Sequence, residues 1–352
     1  MTAALTLLGE LKLKVEAVTG STAPSELGIT LPHEHVLFDL TCWLTIPEEA
    51  RKKDLVESPV SITNLGELRR DPTICRDNLK NLDVDLAIKE LQYYKRAGGE
   101  SLVDLTSEGM GRDPLALHEI SLQTGIKIMA GCGFYLDAAH PQRIKSMNTE
   151  QIAEEIVNDL TQGIGGTRIK AGIIGEIGTG WPLTPNEEKV LRAAARAHHK
   201  TEATINVHPY PYGKFSHRIL DIMEEEGVEL SKVVLSHIDG SLDTEYHKSL
   251  AKRGAYIEYD SFGSEVYMDS IGQRDFSDAE RVECVVEMIK SGYISQLLLS
   301  HDVSWKIHLK QYGGYGYDHL LTHIEPMLRR KGISQDQIDI MMIENPGKIL
   351  TI

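Results

Sequence analysis

The sequence predicts an α/β protein folded as a (β/α)8 TIM barrel, and three observations predict it. Eight short apolar runs recur along the chain. The segments between them carry apolar residues at helical spacing or the capping signals of helices. No Pro- or Ser-rich linker divides the 352 residues into halves. The runs are nearly continuous in apolar side chains, as strands covered on both faces are. A doubly wound open sheet is the main rival architecture.

The first run, ITLPHEHVLF (29–38), follows a short amino-terminal strand region at about 10–26. The stretch from about 40 to 80 is longer and less regular, and reads as an insertion after that strand. ESLVDLTS (100–107), KIMAGCGFY (127–135) and AGIIGEIG (171–178) supply the next three strands. ATINVHPY (203–210), VVLSHID (233–239), AYIEYDSFG (255–263) and LLLSHD (297–302) complete the set. In DVDLAIKELQYYKRAGG, Val84, Ile88, Leu91 and Tyr94 share one helical face, and Gly98 with Gly99 supplies a stop. Thr184 caps a helix with Pro185 at its first position and Glu187 completing a capping box. Ser277 with Glu280, and Ser334 with Gln337, repeat the device. GIGGT (163–167) lacks the lysine of a phosphate loop and reads as a helix stop and turn. The whole chain, 1–352, is read as one barrel domain.

With 41% hydrophobic and 25% charged residues, the chain has material for a sizeable core. The formal net charge of −15 argues against general affinity for nucleic acid or an anionic membrane. Cys42, Cys75, Cys132 and Cys284 are scattered, with no CxxC pair, so neither a structural zinc cluster nor a disulfide framework is expected. The start, MTAALTLLGELKLKVEAVTG, lacks the basic beginning and long apolar core of an export signal. No run of about 18 apolar residues is present. The expectation is a cytoplasmic protein with reduced thiols.

In such a barrel, chemistry collects where strands end at their carboxyl sides. His33 and His35 alternate on the first strand and so share a face. Glu176 ends the fourth strand, His208 the fifth and His237 the sixth, and His301-Asp302 follows the eighth. Singly, each has an ordinary reading: a satisfied polar residue, a solvent-facing glutamate, a helix-capping aspartate. Together they are imidazole and carboxylate donors at equivalent places, a set suited to zinc or a similar divalent ion. They are too many for one tetrahedral site and suit two metals bridged by a carboxylate.

TLPHEHV, VDLTSEGMGRD, GCGFYLD, VHP, LSHID and the late HD resemble, in that order, the phosphotriesterase family of the amidohydrolase superfamily. The likeness runs from about residue 15 to the closing ENPGKIL and is strongest to the phosphotriesterase-related branch. It implies a binuclear centre of two divalent ions, with His33, His35 and Asp302 on the more buried one and His208 and His237 on the more exposed one. Bacterial phosphotriesterases bridge their metals with a carboxylated lysine on the fourth strand. Glu176 stands in that place here, as in the related branch, which weakens the organophosphate-hydrolase label.

The activity the resemblance implies is hydrolysis of a small N-acyl amine, N-acetyltaurine, to acetate and taurine. Hydroxide from a water shared by the metals attacks the amide carbonyl, and Asp302 carries the proton to the leaving amine. A sulfonate calls for a cation or several donors. Lys306 is the first choice, Tyr135 beside Phe134 the second and Arg112 the third; a plain solvated lysine and a loop-fixing ion pair are the ordinary readings of Lys306 and Arg112. YGGYGYDH (312–319) reads as a lid or a surface loop, and Trp181 as a wall of the cleft or a core residue. A lactonase or phosphotriesterase shares the metal set, and a barrel that binds a metal or metabolite without turnover is the rival of another class. A homodimer is common for such barrels, though no interface is legible.

Overall fold

The computed structural model describes residues 13–352. The first dozen residues, on which part of the export-signal reading and the start of the amino-terminal strand region fall, lie outside that range.

Eight parallel strands stand in chain order around the barrel: β1 (Thr30–Glu34), β2 (Ser101–Asp104), β3 (Lys127–Cys132), β4 (Ile173–Gly178), β5 (Ile205–His208), β6 (Val233–Leu235), β7 (Tyr256–Tyr259) and β8 (Leu297–Leu299). Helices α1 (Val84–Arg96), α2 (Pro114–Thr124), α3 (Thr149–Thr161), α4 (Pro185–Thr201), α5 (Ser216–Glu225), α6 (Thr244–Ala251) and α7 (Asp278–Lys290) connect them in turn. The reciprocal capping boxes at Thr184/Glu187, Ser277/Glu280 and Ser334/Gln337 are all formed. GIGGT makes a turn after α3.

Alternation along the strands builds two cores. Leu102, Ile128, Ile174, Leu235, Ile257 and Leu299 face the helices. Val103, Met129, Ile173, Val234, Tyr256 and Leu298 form a separate buried cluster inside the barrel. Val15 and Ala17, from the hairpin Val15–Ala17/Gly20–Thr22, and Ile349 and Leu350, from the closing helix Asn345–Leu350, join that inner cluster. They plug the barrel floor, so the polar residues gather at the other end.

The seam between β8 and β1 is closed by side chains. Ser300 Oγ accepts the His33 N–H at 3.1 Å and lies 2.8 Å from both the His33 carbonyl and Glu34 Oε1. Glu34, facing away from His33 and His35, also accepts the backbone N–H groups of His301 and Val303 at 3.0 Å. The insertion after β1 holds short 3-10 turns and the one-turn helix Leu65–Leu68. Its Val60, Leu68, Ile74 and Cys75 pack on Val266 and Ile307, which seats the segment on the loops at the site end.

Candidate metal centre

Glu176 reaches the barrel interior through a break in the alternation of β4. Ile174 and Ile177 both face the helices although they stand three positions apart, and the β4–β5 register shifts between them. That irregularity resets the phase and turns Glu176 inward. Gly175 allows it: its φ is +144°, and a Cβ there would meet the Asn206 carbonyl at 2.7 Å. A second register shift, between Leu31 and Glu34 on β1, accompanies the inward turn of His33. His237 and Asp302 sit just past β6 and β8 with φ of 53° and 49°. A left-handed backbone costs a non-glycine residue about 1–3 kcal/mol, and such strain collects at functional sites.

The six residues expected to bind metal come together. Glu176 Oε1 lies 2.7 Å from His208 Nδ1, 2.8 Å from His237 Nε2 and 3.6 Å from His33 Nε2. Its Oε2 lies 3.9 Å from His35 Nε2. Asp302 Oδ1 lies 3.2 Å from His35 Nε2 and 3.9 Å from His33 Nε2. The donor atoms of His33, His35 and Asp302 fall within 4.8 Å of one another, as do those of Glu176, His208 and His237. Asp302 keeps 25% of its side chain exposed, whereas none of the other five keeps more than 7%.

Behind this cluster stands a layer that the sequence reading missed. His33 Nδ1 is 3.1 Å from Asp260 Oδ2 and 3.2 Å from Glu258 Oε2. His237 Nδ1 is 2.9 Å from Asp260 Oδ1, and His35 Nδ1 is 2.9 Å from the Thr106 hydroxyl. The carboxylates hold the protons of His33 and His237 on Nδ1 and turn the lone pairs of Nε2 into the cluster, as metal-binding histidines are held. A signal was available: YIEYD places two carboxylates two residues apart on an otherwise apolar strand.

The electrostatics fit a cation site. Burial penalises the charge of Glu176, yet His208 and His33 hold its carboxyl well below the usual range. Burial works against a charged His33 too, but Asp260 and Glu176 push its pKa well above the ordinary value. Buried carboxylates here demand positive charge nearby. His33 Nε2 is itself buried without a hydrogen-bond partner while facing Glu176 and Asp302. An orphaned imidazole nitrogen among carboxylates is what a divalent cation would satisfy.

A cleft opens from this cluster, lined by Tyr135, Trp43, Met110, Tyr212, Asp275 and Trp305, among others. The Tyr135 hydroxyl lies 3.4 Å from His208 and accepts the Trp43 indole N–H at 3.2 Å. The other two residues expected to hold a sulfonate are elsewhere. Lys306 Nζ pairs with Asp77 at 2.6 Å in a separate surface depression, and Arg112 pairs with Asp159 at 2.8 Å beside α3. Phe134 lines that second depression and not the cleft. Trp181 neither walls the cleft nor enters the core: it is exposed and stacked on Phe215 with ring centroids 3.4 Å apart. YGGYGYDH contributes no residue to the cleft lining, and its Tyr317 is buried with its hydroxyl donating to the His35 carbonyl at 2.9 Å. His301 is engaged on both ring nitrogens, by Glu34 at 2.7 Å and the Leu320 N–H at 3.0 Å.

A parallel eight-stranded barrel with imidazoles and carboxylates converging at the carboxyl ends of its strands defines a metal-dependent hydrolase. The chain belongs to the phosphotriesterase family, whose model matches residues 13–350. It is 38% identical over 348 residues to the N-acetyltaurine hydrolase of Xenopus tropicalis, covering 98% of this chain and 99% of that protein. The crystal structure of a resiniferatoxin-binding protein from Rhodobacter sphaeroides superposes with a TM-score of 0.94 at 39% identity, covering 96% of this chain and 94% of that one. The lactonase Lmo2620 from Listeria monocytogenes superposes with a TM-score of 0.78 at 26% identity, covering 96% and 98%. The family is binuclear and metal-dependent, and its members act on small molecules. No helix among the described residues is long and apolar enough to cross a membrane.

Proposed function

We propose that this chain is an amidohydrolase that cleaves N-acyl amides, with N-acetyltaurine as a substrate and acetate and taurine as products. The observation that carries the reading is Glu176, a carboxylate set between two groups of ligands, with Oε1 toward His208 and His237 and Oε2 toward His35. The name of the Xenopus relative supports the amide substrate. His33, His35 and Asp302 would hold one cation, His208 and His237 a second, and Glu176 would bridge them. The imidazole-rich donor set suits zinc. Bound there, two such cations acidify a water and polarise a carbonyl oxygen.

Asp302 moves the proton. Burial raises its pKa, but the hydrogen bond from His35 together with the charges of His237, His35 and His33 lowers it and holds the carboxylate ionised, ready to accept at its oxygen. Its residual exposure faces the cleft, where it can release the proton to a leaving nitrogen. An amide nitrogen leaves badly unless protonated, so the second transfer matters more than it would for an ester. Tyr135 walls the cleft beside His208 and helps to orient the substrate. The four free cysteines support a reducing, cytoplasmic setting, and a homodimer is the assembly we expect.

The lactonase reading is kept as the second one because a solved relative carries that name. A panel of N-acetyltaurine, other N-acyl amines, lactones and aryl phosphotriesters separates the two. Metal-loaded protein should hydrolyse the amides, and exhaustive chelation should abolish that turnover. Lactone turnover with no amide turnover would refute the proposal.

A further inference from the structure

His319 and His323 stand four residues apart in DHLLTHIE, on the element that runs from the turn Leu320–Ile324 into the helix Glu325–Arg330. The proposed mechanism uses neither. His319 is buried, and its Nε2 donates to Asp278 Oδ2 at 2.6 Å. That carboxylate keeps the proton on Nε2 and leaves the lone pair on Nδ1, as the outer partner of a metal-binding histidine does. Burial pushes the His319 pKa below its ordinary value against the pull of Asp278, so the ring is neutral near pH 7. Its Nδ1 faces His323 Nδ1 at 3.2 Å. The Thr322 hydroxyl lies 2.7 Å from the same nitrogen of His323 and donates its own proton to the Asp318 carbonyl at 2.9 Å, so it too turns a lone pair toward His323. His323 is exposed, which opens the pair to solvent.

Two imidazole nitrogens bound to one zinc ion at about 2.0–2.1 Å, in tetrahedral geometry, stand about 3.4 Å apart. The two Nδ1 atoms are already close to that spacing. We propose that His319 and His323 form a third metal site, distinct from the dinuclear centre, which takes a divalent ion of the zinc class with Asp278 as its outer carboxylate. Water completes the coordination on the exposed side. Without the ion, a proton on His323 Nδ1 serves the lone pairs of His319 and Thr322; the ion takes that place as His323 shifts its proton to Nε2. The site is separate from the catalytic cluster. Neither histidine is among the groups that converge on Glu176, and the neighbouring His301, its ring 6.2 Å from that of His319, has both nitrogens engaged. Asp278 Oδ1 also accepts the Gly263 N–H at 2.9 Å, and the loop that starts there supplies Ser264, Met268 and Asp275 to the cleft. An ion at the pair therefore fastens this part of the chain to the base of that loop.

The test dialyses the zinc-loaded holoenzyme against a series of buffered free-zinc concentrations and measures zinc per chain by elemental analysis. At saturation wild type should hold one equivalent more than His323→Ala, whatever the dinuclear centre holds. The exposed position of His323 lets that variant fold, and circular dichroism checks it. Asp278→Asn should weaken the extra equivalent about 10–100-fold while the dinuclear centre stays filled. The comparison with His323→Ala decides the matter even where Asp278→Asn fails to fold. Equal zinc content in wild type and His323→Ala across the whole series would overturn the proposal, whether both stop at the dinuclear centre or both take up adventitious zinc elsewhere.

Discussion

Replacing Asp260 by asparagine should weaken cation binding at one half of the centre. Asp260 Oδ1 holds His237 Nδ1 at 2.9 Å, and Oδ2 holds His33 Nδ1 at 3.1 Å. Both oxygens also lie near the His237 backbone N–H, at 3.0 and 3.1 Å. An asparagine offers one acceptor oxygen and one NH2 group in that place. The oxygen can serve one imidazole. The NH2 group confronts the other with a second donor, and drives its proton to Nε2, where the lone pair for the cation is needed. Losing such a partner costs about 10–100-fold in metal affinity, or roughly 1.4–2.8 kcal/mol. Because His33 and His237 belong to different halves of the cluster, the loss falls on the cation whose histidine faces the NH2 group, while the other keeps its oriented ligand. Competition against a chelator of known affinity, read by elemental analysis of the desalted protein, measures the change. Wild type should keep two equivalents at a chelator concentration that strips one of them from the variant, with circular dichroism showing both folded. A variant that binds both cations within twofold of wild type would refute the claim that Asp260 orients the ligands.

Three further outcomes follow from the same geometry. Asp302→Asn should retain most of the metal yet lose about 10²–10⁴ in kcat, and retained turnover would remove Asp302 from proton transfer. Gly175→Ala should destabilise the fold by about 2 kcal/mol or more in chemical denaturation, since its Cβ would press on the Asn206 carbonyl at 2.7 Å and Cβ at 2.9 Å at a φ of +144°; a stable, active variant would contradict the role given to this glycine. His247 is buried with Nε2 2.8 Å from the Ser241 carbonyl and Nδ1 2.7 Å from the Tyr259 hydroxyl, and burial pushes its pKa down from 6.5 to about 4. The unfolded chain takes up that proton more readily, so this contribution is complete above about pH 6.5 and is lost as pH falls toward 4. Between pH 7 and pH 5 it amounts to about 2 kcal/mol, which His247→Gln should remove from the difference in unfolding free energy at the two pH values.

The sequence by itself determined the barrel, its strand order and the places where ligands gather. These are local properties. The run of apolar residues around His33 and His35, the caps at Thr184 and Ser277, and the polar residue closing each strand are relations between neighbours in the chain. Once a strand direction is known, the end that bears chemistry is known as well. Only the tertiary structure decided what stands behind and beside those ligands. Glu258 and Asp260 meet His33 across more than two hundred residues, and nothing local announces the pairing. Lys306 and Arg112 had the right charge for a sulfonate, but Asp77 and Asp159 hold them away from the cleft. Which partner a long charged side chain finds depends on which carboxylates the fold brings within its reach. The inward turn of Glu176 likewise depends on a register shift against β5, fixed by packing between strands rather than by the alternation of either strand alone.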